Sequence, residues 1–168
     1  DVYKRQETHQ GFSDDSSWAR GQSWAVYGLA LCYHYTHEEA ILPLFERVTK
    51  YFIDHLPEDY VPYWDLIFSD GSCEPRDTSA AAIAACGILE MEKYYHNQEF
   101  LDIAKKMMSS LSEKYTTVDY LQSNGIIKDG MYSRKHGHKS ECTSWGDYFY
   151  LEALMRLSLI HISEPTRH

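Results

Sequence analysis

The sequence predicts an all-α fold in which an inner set of helices is wrapped by an outer set, an open arc of a ring built from helical hairpins. Three observations carry this expectation. Helical segments alternate along the 168 residues between apolar nearly all round and apolar on one face only. Each of the nearly all-apolar segments opens on Ser, Thr or Asp, the residues that cap helix N-termini. These openings recur at Ser17, Ser79 and Ser144, spaced 62 and 65 residues apart, enough for one helical hairpin and a long loop.

In order, residues 18–35 carry one charge, Arg20, in an otherwise small and apolar run, with Gly21 and Gly28 permitting close packing. In the next segment Ile41, Leu44, Phe45, Val48, Phe52 and Leu56 recur at three and four, opposed by Glu46, Arg47, Lys50 and Asp54. That pattern is an amphipathic helix with one wet side. Residues 78–89 are nearly pure Ala, Ile, Cys and Gly. A second amphipathic helix follows on Phe100, Ile103, Ala104, Met107, Met108, Leu111 and Tyr115, opposed by Asp102, Lys105 and Lys106. Residues 145–157 set Asp147, Glu152 and Arg156 in an aromatic and aliphatic run. A helix that is apolar all round is expected to be buried on all sides, so the order reads buried, half-wet, buried, half-wet, buried. Asn124-Gly125, ahead of residues 126–130, is turn chemistry for a small hairpin on the last long loop.

Repeated helix pairs bury their cores by stacking on neighbours. Two and a half units are visible, and closing six hairpins at this spacing would take roughly 370 residues. The two ends depart from the pattern. Residues 1–6 and 158–168 read as non-native extensions of the kind left by adaptor read-through, with the last helix expected to stop near Leu157. The body then spans 7–157, with 13 Lys plus Arg against 23 Asp plus Glu.

The whole chain has a formal charge of −9 and no basic run, which excludes nucleic-acid backbone binding as a main role. No apolar stretch reaches the roughly 18 residues needed to cross a bilayer, so no membrane partner is expected. Cys32, Cys73, Cys86 and Cys142 form no C-x-x-C pair, and the expectation is reduced, buried thiols rather than disulfides or zinc. Aromatic residues make up 14%, including 14 Tyr and 4 Trp, and flat amphipathic rings suit both cores and sugar surfaces.

Parallel inner helices would bring their N-termini to one end of the ring, and the unusual residues gather there. His9, Gln10, Asp14, Asp15, Trp18, Arg20, Gln22 and Trp24 lie before and within the first helix. Trp64, Asp65, Glu74, Arg76, Asp77 and Ser79 precede or open the second. His136, His138, Ser140, Ser144, Trp145 and Asp147 do the same for the third. Helix N-termini offer partial positive charge and free N–H groups, which favour an anionic ligand. Trp faces with Arg, Gln and carboxylates in one basin describe a site for an acidic sugar.

The stretch from His9 through Gly11, Asp14, Trp18, Arg20, Gly21 and Gln22 to Trp24 resembles the signature of unsaturated glucuronyl hydrolases, glycoside hydrolase family 88. So do Val61-Pro62-Tyr63-Trp64-Asp65, the run from Pro75 to Ala82, and Ser144-Trp145-Gly146-Asp147-Tyr148-Phe149. The four motifs, in order, cover about 7–157. The resemblance implies that this body is the C-terminal half of a single (α/α)6 toroid. It also implies a bacterial enzyme acting on unsaturated oligosaccharides, of glycosaminoglycan type, left by polysaccharide lyases. Such enzymes remove the non-reducing-end 4,5-unsaturated uronic acid without metal or organic cofactor. An Asp protonates C4 of the vinyl ether while water adds at C5, and the hemiketal then opens. By the family pattern that Asp lies upstream, outside this chain, so the catalytic residue is unknown here and the isolated half is expected to be inactive.

Substrate binding is what the matched motifs leave. The residues assigned to it are His9, Gln10, Trp18, Arg20, Gln22, Trp24, Trp64, Asp65, Arg76, Asp77, Ser144, Trp145 and Asp147. Relatives that accept sulfated sugars carry a Ser and a Lys where Asp147 and Phe149 stand, which points to unsulfated substrate. Plainer readings stand beside these. Asp77 and Ser144 suit N-caps, and Asp147 suits the macrodipole of a first turn. Trp18 and Trp24 lie about 240° apart around a helix, so one of them can belong to the core. Arg20, a lone charge in a buried helix, needs an anion. His136 and His138 read as loop histidines rather than metal ligands, and His34 and His37 as solvated. The competing functions are an unsaturated rhamnogalacturonyl hydrolase of the related family, and a non-catalytic helical-repeat sugar-binding module. The cytoplasm is favoured over export, although residues upstream of Glu7 would decide it.

Overall fold

A computed structural model describes residues 8–163, with side chains placed through Ile160. The chain is all-α. Helices α1 (Ala19–Thr36), α2 (Ile41–Asp54), α3 (Thr78–Met91), α4 (Gln98–Lys114) and α5 (Ser144–Ser163) follow in order, with a single 3₁₀ turn at Arg134–His136. Among the described residues extended backbone pairs only at isolated bridges, one of which, Thr116 with Ile127, closes the base of the turn at Asn124-Gly125. Helix α3 is the centre, flanked by α1 and α5 in an inner layer, with α2 laid on α1 and α4 on α3. This is a partial (α/α)6 toroid.

Burial sorts the inner helices more sharply than their composition. Every residue of α3 is buried, as expected of an Ala-rich helix with neighbours on all sides. Helices α1 and α5 correct the expectation of complete burial. Trp24 and Tyr35 on α1, and Tyr148, Leu151, Met155 and Leu159 on α5, are exposed. The two end members of the layer each lack a neighbour on one flank. The close approach between helices also lies elsewhere than expected. Gly28 has open space around it, whereas a Cβ on Gly87 would stand 2.7 Å from the Tyr27 Cα. Gly87 is the residue that lets α3 press against α1. Helix α5 runs on to Ser163, six residues past the expected end at Leu157, because Leu159 and Ile160 continue its apolar pattern. Of the four free thiols only Cys86 is buried; Cys32, Cys73 and Cys142 are exposed.

The helix starts are closed by loops more than by their own side chains. The N-cap position of α1 is Trp18, without a side-chain capping bond, and Ser17 contacts the Tyr51 hydroxyl instead. The Ala19 N–H donates to the Trp64 carbonyl, and the Leu66 N–H to the Ser17 carbonyl. Thr78, at the start of α3, donates its N–H to the Asp129 carbonyl and its hydroxyl to the Lys128 carbonyl. Helices α1 and α3 are therefore each capped by the loop that follows their own hairpin. Side-chain caps appear at Asn97, which accepts from the Phe100 N–H of α4, and at Thr143, which accepts from the Gly146 N–H of α5. No described helix is long and apolar enough to cross a membrane.

Candidate functional site

The starts of α1, α3 and α5 do meet at one end, and Arg20 lies at their junction. Placed in the first turn of α1, its guanidinium turns inward toward the start of α3. Nη1 stands 3.4 Å from Asp77 Oδ2 and from Ser79 Oγ, while Nη2 donates to the Tyr132 carbonyl at 2.6 Å. The cation also lies 4.9 Å from the Trp18 ring and 5.1 Å from that of Trp145, within cation–π range. Asp77 is fully buried; Ser79 Oγ donates to its Oδ1 at 2.5 Å, and the Met131 N–H reaches the same oxygen at 3.4 Å. Ser79 in turn accepts from the Trp145 indole N–H at 3.1 Å. One hydroxyl thereby joins the carboxylate, the guanidinium and the indole.

Burial dominates the electrostatics. It raises the Asp77 carboxyl above its usual range, with Arg20 and the hydrogen bonds from Ser79 and Met131 opposing. It lowers the Arg20 guanidinium, with the Asp77 charge opposing. The anion that the lone charge of α1 requires is therefore part of the protein. Asp77 sits at the N-cap of α3 but makes no side-chain capping bond; its carboxylate faces Arg20 instead.

The remaining assigned residues divide into two groups. Trp18 and Trp145 are half-buried around Arg20, Ser144 is exposed beside Trp145, and Trp24 is exposed one and a half turns along α1, edge-on to Phe149 at 5.1 Å. His9 is exposed and its ring lies 4.8 Å from that of His136, tilted by 47°. Gln10 is half-buried, its Oε1 buried without a hydrogen-bond partner. These six form the first group.

The structure brings the others elsewhere. Gln22 donates to the Val48 carbonyl of α2, fixing the outer helix. Asp65 is buried and organises the loop around it, accepting from the Phe12 and Ile67 N–H groups and from the Ser16 hydroxyl. Trp64 is buried, donating its indole N–H to Glu74 and packing against Phe12 and Phe68. Arg76 turns away from Asp77, lies 3.9 Å over the Tyr63 ring and pairs with Asp59 and Asp70. Asp147 accepts from the Ile126 and Ile127 N–H groups, tying the long loop to α5. The expected free N–H groups at the helix starts are likewise taken up by loop carbonyls at Ala19 and Thr78.

Two features were not among the assigned site residues. Tyr132, whose carbonyl binds Arg20, turns an exposed ring onto Trp145 and His138. Its only sequence signal is one aromatic in a polar loop. Ser79 reads in sequence as a cap, and only the fold shows it bridging three groups. At the far end of the inner layer lies a second charged cluster. Glu90 of α3, buried, pairs with Arg156 and with Lys93, and Arg156 also pairs with Glu152 of α5. Tyr27 of α1 donates to Glu152, and its hydroxyl is pushed up to about 12, chiefly by burial and then by that carboxylate. His34, expected to be solvated, is 37% exposed and also contacts Glu90 at 2.9 Å and the Tyr94 hydroxyl at 2.6 Å. Among the described residues no group of three or more His, Cys, Asp or Glu could hold a metal.

Comparison with known proteins matches this geometry to one family. Residues 2–159 match the family model described as Glycosyl Hydrolase Family 88. Over 155 residues the chain is 48% identical to an unsaturated chondroitin disaccharide hydrolase of Streptococcus pneumoniae (strain ATCC BAA-255 / R6), covering 89% of this chain and 39% of that protein. An unsaturated glucuronyl hydrolase of Bacillus sp. (strain GL1) is 40% identical over 156 residues, covering 89% and 41%. Among solved structures, an unsaturated glucuronyl hydrolase of Streptococcus agalactiae complexed with dGlcA-GalNAc6S superposes with a TM-score of 0.85 at 46% identity, over 89% of this chain and 41% of that one. One specific for heparin gives 0.88 at 29% identity, over 96% and 45%. The chain thus spans about two fifths of the relatives it matches. With the family model covering nearly its whole length, the chain belongs to glycoside hydrolase family 88.

Proposed function

We propose that this chain supplies substrate-binding residues of an unsaturated glucuronyl hydrolase, which removes a 4,5-unsaturated uronic acid from the non-reducing end of lyase-generated glycosaminoglycan oligosaccharides. The observation that carries the reading is the cluster of Trp18, Trp145 and Tyr132 around the Arg20–Asp77 pair, at the common start of three inner helices. Ring faces beside half-buried polar groups suit a sugar, which offers an apolar face and an equatorial fringe of hydroxyls.

In this reading Arg20 braces the walls, because Nη1 is turned to Asp77 and Ser79 and Nη2 to the Tyr132 carbonyl. Ahead of α1, Gln10 has a buried Oε1 without a hydrogen-bond partner and His9 is exposed. The bond-breaking step needs a carboxylic acid outside this chain. Its proton goes to C4 of the vinyl ether, water adds at C5 and returns a proton to the carboxylate, and the hemiketal opens to release the remaining sugar. Full-length protein should abolish the ultraviolet absorbance of an unsaturated disaccharide, since hydration consumes the C4–C5 double bond. Persistence of that absorbance would reject the enzyme and leave the sugar-binding module.

Phe149 supports a preference for unsulfated substrate. Its ring is buried edge-on against Trp24 and Tyr27 and offers a sulfate no donor of its own. Turnover of unsulfated disaccharide should exceed that of the 6-sulfated one; the reverse order would refute the preference.

A further inference from the structure

We propose that Ser79 is a positioning residue for the sugar site: buried at the start of α3, it holds the Trp145 indole in the orientation in which that ring serves as a wall. The inference deepens the function proposed above and rests on it. Ser79 has no exposed surface, so it acts through Trp145 and touches no sugar itself. Trp145, in the first turn of α5, is half-buried and keeps part of its surface open. The direction of the hydrogen bonds between them is forced. Ser79 Oγ faces Asp77 Oδ1 at 2.5 Å, the Trp145 indole N–H at 3.1 Å and Arg20 Nη1 at 3.4 Å. An indole N–H and a guanidinium only donate. The Ser79 proton therefore goes to Asp77, and its lone pairs turn to Trp145 and Arg20. Asp77 is fixed in turn by Arg20 and the Met131 N–H, each at 3.4 Å. The relay starts on a fully buried carboxylate and ends on a half-buried ring.

The other ring contacts of Trp145 leave its edges unassigned. Arg20 lies 5.1 Å from the ring centroid and Tyr132 is tilted against it at 5.8 Å, and both meet the π-system as a whole. Turning the indole half round about its bond to Cβ would still set a ring beside both, but would exchange the N–H edge for an apolar one. The bond to Ser79 selects between the two. The backbone brings the partners together, because a Cβ on Gly146, the next residue, would stand 3.4 Å from Ser79 Cβ. Helix α5 thus starts directly against Ser79. A wall that meets the sugar alike before and during reaction contributes uniform binding, so disturbing it shows in KM rather than in kcat.

The test is a double-variant cycle in the full-length protein with an unsaturated disaccharide. Ser79→Ala should raise KM roughly fivefold, the effect of one hydrogen bond, and change kcat by less than about twofold. Trp145→Phe keeps a ring without the N–H and should raise KM at least as much; adding Ser79→Ala to it should change KM no further. Ser79→Cys, whose thiol is a weak acceptor, should fall between, and replaces Ser79→Ala if that variant does not fold. The indole N–H resonance of Trp145, identified by its loss in Trp145→Phe, should shift and exchange faster with solvent in Ser79→Ala. Unchanged KM in Ser79→Ala, a fall in kcat as large as the rise in KM, or additive effects of the two substitutions would each overturn the inference. If the protein binds the disaccharide but leaves its vinyl absorbance intact, the activity alone is refuted, and Kd takes the place of KM in the same cycle. No binding at all would overturn both.

Discussion

Arg20 and Asp77 are more than half a hairpin repeat apart in sequence and 3.4 Å apart in space, and their roles in stability are unequal. Removing the cation leaves a fully buried carboxylate without a counter-charge, whereas neutralising the carboxylate leaves Arg20 still bonded to Ser79 and Tyr132 and lying between two indoles. Arg20→Met should therefore cost about 3 kcal/mol at neutral pH, and adding Asp77→Asn should recover part of it. Urea unfolding of the two single variants and the double checks this; a double variant no more stable than Arg20→Met would show that the pair is uncoupled. The pH dependence has a definite sign. Because burial raises the folded carboxyl above 3.8, the folded state holds that proton to higher pH than the unfolded chain. Stability from this group is full below that value and falls as pH climbs through the raised one. The penalty of Arg20→Met should accordingly shrink on acidification. In sequence, the need of Arg20 for an anion was legible, because a charge alone in an apolar helix cannot stay unpaired. That the anion is Asp77 was not, since local spacing says nothing about which helix starts converge.

Between elements, the register of α1 on α3 is set by one glycine. An alanine at Gly87 would press a methyl against the Tyr27 backbone, and neither backbone can yield without separating the helices. Overpacking of this kind costs about 1–3 kcal/mol, more than the helix propensity gained. Gly28, in open space, has no such conflict, and its alanine variant should gain up to about 1 kcal/mol. Opposite signs for Gly87→Ala and Gly28→Ala in thermal unfolding are the expected result; equal signs would place the contact wrongly. Periodicity could not have chosen between the two, because both sit in small apolar runs and only the facing helix distinguishes them. What periodicity did deliver was α2 and α4, whose charged faces fix which side is wet, and the central burial of α3. The capping signals at Ser17 and Asp77 misled about mechanism: the helices begin where expected, but loop carbonyls from distant sequence satisfy their N–H groups.

At the scale of the molecule, an inner layer of three helices with bare flanks should behave as an incomplete assembly. The 168-residue chain alone should bind a dye that reports exposed apolar surface, self-associate as concentration rises, and leave the vinyl absorbance of an unsaturated disaccharide unchanged. Scattering, dye fluorescence and vinyl absorbance together check this, and a sharp, concentration-independent melt with full turnover would contradict it. Alternation of buried and half-wet helices made the two layers legible in the sequence. It overstated the burial of α1 and α5 because composition records what a helix is suited to meet, whether or not the partner is present.

The loops that close the helix starts also tie the repeats together in time. Since α1 is capped by the Trp64 loop and α3 by the Asp129 loop, no hairpin holds its own first turn closed until the chain beyond it has arrived. Amides at Ala19 and Thr78 should then exchange with solvent only when the following loop detaches, so their protection reports on the neighbour rather than on their own helix. Removing either loop would fray the helix before it, which makes this a chain of obligate pairs rather than a row of independent units.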